Sequence, residues 1–204
     1  MELFLKILGV AAAAYLLGSI PSSFIMARIM RGIDLRDHGS GNLGAANTFR
    51  ILGATAAVPV LIIDIGKGFL AVNLVSMAGI ENFAFVALAA LMAILGHNYS
   101  VFVKFSGGKG VGTTTGAFLA IVPVAVLICI LIWLALLLAT RIVSVASIAA
   151  SIALPIAVIT SKYYLGRDID ILAVMLSVIV TVVVVYKHRS NIQRLRDGEE
   201  KRIF

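Results

Sequence analysis

The chain has 204 residues, of which 61% are hydrophobic and only 13% are charged, and its mean hydropathy is +1.07. Soluble domains carry about 25% charged residues, so the composition excludes an ordinary soluble protein. The net charge of +7 does not indicate a nucleic-acid partner, because the basic residues lie in short connections between apolar runs. The composition predicts a polytopic membrane protein that binds anionic lipid or a phosphorylated substrate.

Six apolar runs with few or no charges follow one another along the chain. Because hydrocarbon cannot satisfy backbone polar groups, each run can cross a bilayer only as a helix, which makes the fold class all-α. Pro21 is expected to kink the first run, Pro59 to lie in the first helical turn of the second, and residues 44–58 to form a short interfacial helix. The runs cover residues 3–27, 59–80, 82–96, 111–140, 142–161 and 169–186.

Residues 111–140 form a run that is too long for one span. A single helix would be about 45 Å long against a hydrocarbon core of about 30 Å, and Pro123 lies near its middle. We favour two shorter helices that turn near residues 121–124, which gives seven spans. One long kinked helix, which gives six, is the alternative.

The basic residues distinguish six spans from seven. Lysine and arginine are concentrated in the first connection, the third connection and the C-terminal tail, and such charge is typical of cytoplasmic segments. Only an odd number of spans places all three on the same side. We therefore predict seven transmembrane helices, with the N-terminus outside and the C-terminus in the cytoplasm.

Neither a repeat nor a linker divides the chain, so residues 1–204 are expected to form a single integral-membrane domain. The one cysteine, Cys129, lies in an apolar run without a cationic neighbour, which gives no support for a thiolate nucleophile. No Ser, His and Asp set is recognisable, and no residue spacing fits a metal site. We expect no metal, no cofactor and no covalent acyl-enzyme.

The first polar segment runs from Gly39 to Asn47 and is followed by Arg50. It satisfies G-x-G-x-x-G, but no dinucleotide-binding domain fits between two membrane spans. Small residues can expose backbone N–H groups to an anion, and the N-terminus of a following helix adds a favourable dipole. A tight turn capped by Ser40 and Asn47 is the alternative.

The second polar segment, Gly107-Gly108-Lys109-Gly110, is rich in glycine. It is not a Walker motif, because Val103 stands where that motif needs its first glycine and Gly110 where it needs Ser or Thr. Glycine amides can surround phosphate oxygens while Lys109 supplies a point charge. A flexible, positively charged loop is the alternative.

Other polar residues allow two interpretations each. His97, at a helix end, is either a hydrogen-bonding group or a catalyst. His188 and Asn191 lie one helical turn apart and can point at a shared ligand, although a basic helix lying on anionic lipid is the plainer interpretation. Asp64 and Lys67 are costly inside a span, so they either pair with each other or steady a cytoplasmic site.

Four blocks of this sequence resemble the acyl-phosphate:glycerol-3-phosphate acyltransferase family of bacterial membranes. They are GSIP at 18–21, GSGNLGAAN at 39–47, GHNYSVFVKFSGGKGVGT at 96–113 and HRSNIQRLRDGEE at 188–200. The resemblance implies transfer of a fatty acyl group from acyl phosphate to glycerol 3-phosphate, which gives lysophosphatidic acid and phosphate and begins phospholipid synthesis. It also implies a multi-pass enzyme of the bacterial inner membrane with a cytoplasmic active site.

The resemblance further implies which residues form the site, with His97 and Lys109 as the catalytic pair. Lys104 matches no family position and is added for its charge. Ala46 stands where the family commonly has Thr and Gly112 where it commonly has Ala, so position 46 offers only its backbone. The expected substrate-binding residues are Ser40, Gly41, Asn42, Asn47, Arg50, Lys104, Gly107, Gly108, Gly110, Ser144, His188, Asn191 and Glu200.

The expected chemistry needs no nucleophilic side chain, because acyl phosphate already carries a good leaving group. Lys109 and the glycine amides would stabilise charge on the carbonyl and the departing phosphate, and His97 or a substrate phosphate would accept the proton. Expected partners are acyl phosphate, glycerol 3-phosphate and membrane lipid, with neither nucleic acid nor an obligatory protein partner. A transporter for a phosphorylated metabolite or anion and a structural anchor that recruits partners are the alternatives, although no inverted repeat supports a transporter.

Overall fold

The structure, a computed structural model, describes residues 1–204 and is built from ten α-helices joined by short turns. Four segments are long and apolar enough to cross a membrane, and a fifth qualifies if a helix pair bent by 55° is one span. Two shorter apolar helices, of 16 and 11 residues, complete the set of apolar segments. The predicted all-α membrane fold is confirmed, while the number of spans stays a prediction.

The chain divides into two compact units, Met1–Ala120 and Ile121–Phe204. The N-terminal unit holds five helices and nearly all of a sixth. Their bounds are α1 Glu2–Ser19, α2 Ser22–Arg31, α3 Ala45–Leu52, α4 Ala54–Met77, α5 Phe83–Asn98 and α6 Val111–Ile121.

The C-terminal unit holds the remaining four helices. They are α7 Pro123–Thr140, α8 Val143–Tyr163, α9 Ile171–Lys187 and α10 Arg189–Arg196. Within this unit the Trp133 indole donates to the Ser147 hydroxyl at 3.1 Å, which ties α7 to α8. The Thr181 hydroxyl donates to the Ser151 carbonyl at 2.6 Å, which ties α9 to α8.

Glycines let the helices of the N-terminal unit cross at backbone contact. A Cβ atom at Gly18 of α1 would lie 2.1 Å from a carbonyl oxygen of α5, and one at Gly96 of α5 would lie 2.2 Å from a carbonyl oxygen of α1. The same holds for Gly68 of α4 and Gly116 of α6, where the distances to backbone oxygens would be 2.0 and 1.8 Å. Small residues at such crossings are typical of helix packing in membranes, and these crossings bring the polar ends of the helices together.

The predicted helix boundaries agree with the structure where proline interrupts the first and fourth apolar runs, and they are wrong at the start of the second. The long run breaks where proline predicts it, since α6 ends at Ile121 and α7 begins at Pro123. A short helix, α3, does precede the second span, but it ends at Leu52 rather than at residue 58. Pro59 is not in a first turn, because Gly53, at φ +82°, ends α3 and α4 begins immediately after it. The helix therefore accommodates Pro59 in its interior at the loss of one backbone hydrogen bond.

Candidate active site

A small cleft opens in the N-terminal unit where α1 gives way to α2. It is lined by residues of that junction, of α4, of the end of α5 and of both polar segments. The residues that line it include Ser19, Ser22, Leu43, Lys67, His97 and Gly107. Two of the predicted site residues, His97 and Gly107, therefore meet in one cleft.

A buried ion pair lies under this cleft. Asp64 and Lys67 of α4 are 3% and 4% exposed, and their Oδ1 and Nζ atoms are 2.9 Å apart. The Ser22 hydroxyl donates to the same Oδ1 at 2.7 Å, and Lys67 Nζ also donates to the Ile20 carbonyl at 3.0 Å. Buried charges are tolerated when they are paired and hydrogen-bonded, so the pairing interpretation of Asp64 and Lys67 is correct.

The same carboxylate also contacts the predicted catalytic histidine. His97, 7% exposed, has its Nδ1 atom 3.5 Å from Asp64 Oδ1. The pair is thus not isolated in the span, because its carboxylate connects α4 to the end of α5. The two interpretations of Asp64 and Lys67, mutual pairing and support of a site, are compatible in this geometry.

The glycine segment packs directly against His97. The Gly108 N–H donates to the His97 carbonyl at 3.0 Å, and a Cβ at Gly108 would lie 2.1 Å from His97 Nε2. A Cβ at Gly107 would lie 2.2 Å from the His97 carbonyl oxygen, while Gly110 has φ +84°. These positions accept only glycine, so the segment holding Lys109 has a defined backbone course against the histidine.

Some polar side-chain atoms of the N-terminal unit are buried without a hydrogen-bonding partner. Among them are Ser19 Oγ, Arg50 Nε and the hydroxyls of Thr113 and Thr114. Buried polar atoms are nearly always hydrogen-bonded in proteins. The two threonines belong to the first helical turn after the glycine segment, where a ligand or water can satisfy them.

Asn47 holds the first polar segment in a tight turn. Its side chain, 1% exposed, accepts from the Ser40 amide at 2.9 Å and donates to the His38 carbonyl at 3.0 Å. Gly39, at φ +63°, leaves room for the Asn47 amide oxygen, which a Cβ there would approach to 2.3 Å. Asn47 therefore caps the turn, as the alternative interpretation of this segment held, while Ser40 stays exposed.

Sequence reasoning missed an ion pair between Asp34 and Arg36, which connects the segment before Gly39 to the loop between α5 and α6. Asp34 accepts from the Arg36 amide at 3.0 Å and from Arg36 Nη2 at 2.7 Å, and Arg36 Nη1 donates to the Val103 carbonyl at 3.3 Å. Hydrogen bonding from the Arg36 guanidinium, opposed by burial and aided by the Arg36 amide, lowers the pKa of Asp34 to about 2. The sequence did offer one signal for this contact, because an Asp side chain commonly accepts from the backbone amide two residues later.

Lys104 lies at an exposed loop tip. It and Phe105 are two of the three residues other than glycine with positive φ, at 57° and 56°. The Phe105 amide donates to the Ser100 carbonyl at 2.8 Å, which stabilises the turn. The left-handed conformation is uncommon for residues other than glycine, so two such residues in succession mark a tight turn.

Two predicted residues of the C-terminal unit, Ser144 and Asn191, bond to a third, Glu200, whose side chain is 2% exposed. Its carboxylate accepts from the Ser144 hydroxyl at 2.7 Å, from Asn191 Nδ2 at 2.6 Å and from Arg194 Nε at 2.7 Å. Burial opposes ionisation, but these hydrogen bonds outweigh it and lower the pKa of Glu200. Arg194 was not predicted, although it follows Asn191 by one helical turn.

His188 marks the bend between α9 and α10. The residue is 3% exposed, and its Nδ1 lies 2.8 Å from the Val184 carbonyl. Because a carbonyl oxygen only accepts, Nδ1 is the nitrogen that carries a hydrogen and donates to it. His188 and Asn191 are thus both buried on the inner side of the tail rather than spread over a lipid surface.

The family profile and the similar proteins of known sequence carry the same description. The sequence profile of the glycerol-3-phosphate acyltransferase family matches residues 8–198. A protein of Fusobacterium nucleatum with the name glycerol-3-phosphate acyltransferase is 42% identical, with 92% of this chain and 93% of the relative covered. One of Chlorobaculum parvum with the same name is 36% identical, with 98% and 97% covered.

Two solved structures share the fold. Both are crystal structures of PlsY (YgiH), an integral membrane glycerol 3-phosphate acyltransferase. The glycerol 3-phosphate form has a TM-score of 0.87 at 37% identity, and the lysophosphatidic acid form has 0.85 at 36%. In each case the match covers 96% of this chain and 94% of the other.

Proposed function

Because this chain belongs to the glycerol-3-phosphate acyltransferase family and is an integral-membrane acyltransferase, we propose that its donor is acyl phosphate and its product lysophosphatidic acid. The observation that carries the proposal is the glycine segment around Lys109, whose backbone lies against His97. Backbone amides, a lysine and a histidine at one place suit a reaction between two phosphate-bearing substrates.

The transfer is a direct substitution at the acyl carbon in a ternary complex. The C1 hydroxyl oxygen of glycerol 3-phosphate bonds to the carbonyl carbon, the bond from that carbon to the phosphate oxygen breaks, and phosphate leaves with the electron pair. His97 takes the hydroxyl proton. Lys109 and the amides of residues 107–110 stabilise negative charge on the carbonyl oxygen and on the leaving phosphate.

Substrate binding is assigned to polar residues of the segments that the sequence singles out. Arg50, whose Nε is buried without a partner, holds the glycerol phosphate, and the exposed Lys104 assists it. Asn47 contributes by fixing the turn that presents the neighbouring amides and side chains. The remaining substrate-binding residues of the proposal are Ser40, Gly41, Asn42, Gly107, Gly108, Gly110, Ser144, His188, Asn191 and Glu200.

The membrane arrangement that accompanies this function has seven spans in one integral domain. The spans are the α1–α2 pair, α4, α5, α6, α7, α8 and α9, with the N-terminus outside and the C-terminus in the cytoplasm. The positive charge of the first and third connections and of the tail supports this topology. It places the active site on the cytoplasmic side of the bacterial inner membrane, where phosphorylated substrates are available.

The choice of donor can be tested on the purified protein. Given glycerol 3-phosphate and a matched C16 donor, the chain is expected to form lysophosphatidic acid from palmitoyl phosphate at least 100-fold faster than from palmitoyl-CoA, because the carbonyl is activated by a phosphate that the site binds. Product is measured by mass spectrometry. Equal or faster turnover with palmitoyl-CoA would contradict the proposed donor.

A further inference from the structure

We propose that Arg36 is a positioning residue for acyl transfer, which keeps the first polar segment and the glycine segment at a fixed separation so that the substrates bound to them meet. The inference rests on the proposed function, in which both segments bind substrate. It assigns a role to a guanidinium that does not itself contact substrate and that the reaction scheme above leaves unused.

The two segments lie against each other at backbone distance. A Cβ at Gly108 of the glycine segment would lie 2.8 Å from the Leu43 carbonyl oxygen of the first polar segment. Leu43 also lines the same cleft as Gly107 and packs in the same apolar cluster as Val103. A small shift of either segment therefore changes the distance between the groups that the two segments hold.

The backbone of Arg36 supports the turn that opens the first polar segment. The Gly41 amide donates to the His38 carbonyl at 3.1 Å, which closes that turn. Gly41 has φ +68°, and a Cβ there would lie 2.9 Å from the Arg36 carbonyl oxygen. The first polar segment thus folds directly onto the Arg36 backbone, and a movement of Arg36 moves the segment.

The side chain of Arg36 reaches the loop that leads into the glycine segment. Its Nη1 donates to the carbonyl of Val103, a residue that is 3% exposed. The loop is closed on itself, because the Ser100 amide donates to the Ser106 carbonyl at 3.1 Å. A bond that holds Val103 therefore also fixes the point at which the glycine segment begins, at Gly107.

The guanidinium is itself held in place and its charge is balanced. Asp34 accepts from Arg36 Nε at 3.0 Å and from Arg36 Nη2 at 2.7 Å. The guanidinium carbon also lies 5.5 Å from the centre of the Phe24 ring. A planar fork that is paired with a carboxylate and bonded to a carbonyl holds the backbone in a defined direction. These contacts favour a positioning role over direct binding of a substrate phosphate.

Arg36→Gln and the double variant Asp34→Asn/Arg36→Gln test this role. The double variant leaves no unpaired carboxylate, which protects folding. For both variants we expect kcat at saturating palmitoyl phosphate and glycerol 3-phosphate to fall about 30-fold, because a misplacement of about 1 Å can cost about 100-fold. The Kd for glycerol 3-phosphate alone, measured by calorimetry, is expected to change less than about threefold, since each segment keeps its own contacts.

Two results would overturn the proposal. If both variants keep kcat within about threefold of wild type, the separation of the segments does not depend on Arg36, even where thermal unfolding shows a lower Tm. If the Kd for glycerol 3-phosphate weakens by the same factor as kcat falls, Arg36 binds substrate directly. Arg31→Gln removes an exposed arginine from the last turn of α2. It is the control and is expected to retain wild-type kcat and Kd.

A double-mutant cycle tests whether Asp34 and Arg36 act together. Asp34→Asn alone is expected to lower kcat about tenfold, because the carboxylate orients the guanidinium toward Val103. In the Arg36→Gln background the same substitution is expected to change kcat less than about threefold, since residues that act as a unit are not additive. A further loss of about tenfold in that background would overturn this account of how Arg36 is held.

The outcomes distinguish this inference from the function on which it rests. Wild-type protein that makes no lysophosphatidic acid from palmitoyl phosphate overturns the proposed function and the role of Arg36 with it. Active wild type together with equally active Arg36→Gln and Asp34→Asn/Arg36→Gln variants overturns the positioning role alone.

Discussion

Replacing Lys109 with alanine is expected to lower kcat for lysophosphatidic acid formation about 1,000-fold, the size of effect found when a group that stabilises developing charge is removed. The lysine lies between Gly108 and Gly110, in a segment whose backbone packs on His97. In the proposed mechanism its charge acts on the carbonyl oxygen and on the leaving phosphate. The measurement is initial-rate kinetics with palmitoyl phosphate and glycerol 3-phosphate.

Lys6→Ala is the matched control for this variant. Lys6 forms an exposed ion pair with Glu2, with Nζ and Oε1 2.8 Å apart on the first turns of α1. Exposed pairs of this kind contribute only about 0.3–0.5 kcal/mol, so activity and stability should stay near wild type. Lys109→Ala protein that turns over within threefold of the Lys6→Ala control would show that Lys109 is not part of the chemistry.

Replacing Gly108 with alanine is expected to abolish activity, with a fall in kcat of about 1,000-fold or more. The added methyl group would lie 2.1 Å from His97 Nε2 and 2.8 Å from the Leu43 carbonyl oxygen. Either the imidazole or the glycine segment must move, so the proposed catalytic histidine and the proposed phosphate-binding backbone lose their alignment. Overpacking of this kind also costs about 1–3 kcal/mol of stability. Steady-state kinetics and thermal unfolding in detergent measure the two effects.

Gly66→Ala is the control for this second substitution. Gly66 lies inside α4, and a Cβ atom built there has nothing within 4 Å. Alanine is a better helix former than glycine by about 1 kcal/mol, so this variant is expected to be fully active and no less stable. If Gly108→Ala behaves like Gly66→Ala, the glycine segment does not depend on its contact with His97.

The helical architecture was predictable because a bilayer allows so few structures. Apolar runs, Pro123 and the charge distribution predict an all-α membrane protein with a break between α6 and α7, and the structure has both. The start of α4 was not predictable in this way. Gly53 takes a positive φ that lets α4 follow α3 without a loop. Pro59 therefore lies inside α4 and not in its first turn.

The candidate site was predictable in its residue types but not in its contacts. The glycine segment, His97 and the buried pair of Asp64 and Lys67 could each be singled out from the sequence. Their meeting at one carboxylate oxygen could not, because the contact between α4 and α5 depends on helix rotation and on close packing at glycines. Ser22, in an apolar context, gave no sequence signal and contacts Asp64 only through the break after α1.

The C-terminal residues show the same limit. Ser144, Asn191 and Glu200 were grouped by resemblance, and the structure brings them together within the C-terminal unit. Sequence could not show that two of them donate to the third, since 56 residues separate Ser144 from Glu200. Their assignment to substrate binding remains a proposal in which Glu200 acts by holding Asn191.

A rapid-quench single-turnover experiment tests the central claim of direct transfer most directly. Wild-type protein in excess is mixed with palmitoyl phosphate labelled in the acyl group, first alone and then with glycerol 3-phosphate, and is denatured at successive times. Direct transfer predicts labelled lysophosphatidic acid only when glycerol 3-phosphate is present, with no labelled protein at any time. Labelled protein that forms without glycerol 3-phosphate and passes its acyl group on when glycerol 3-phosphate is added, at the rate of turnover, would contradict direct transfer.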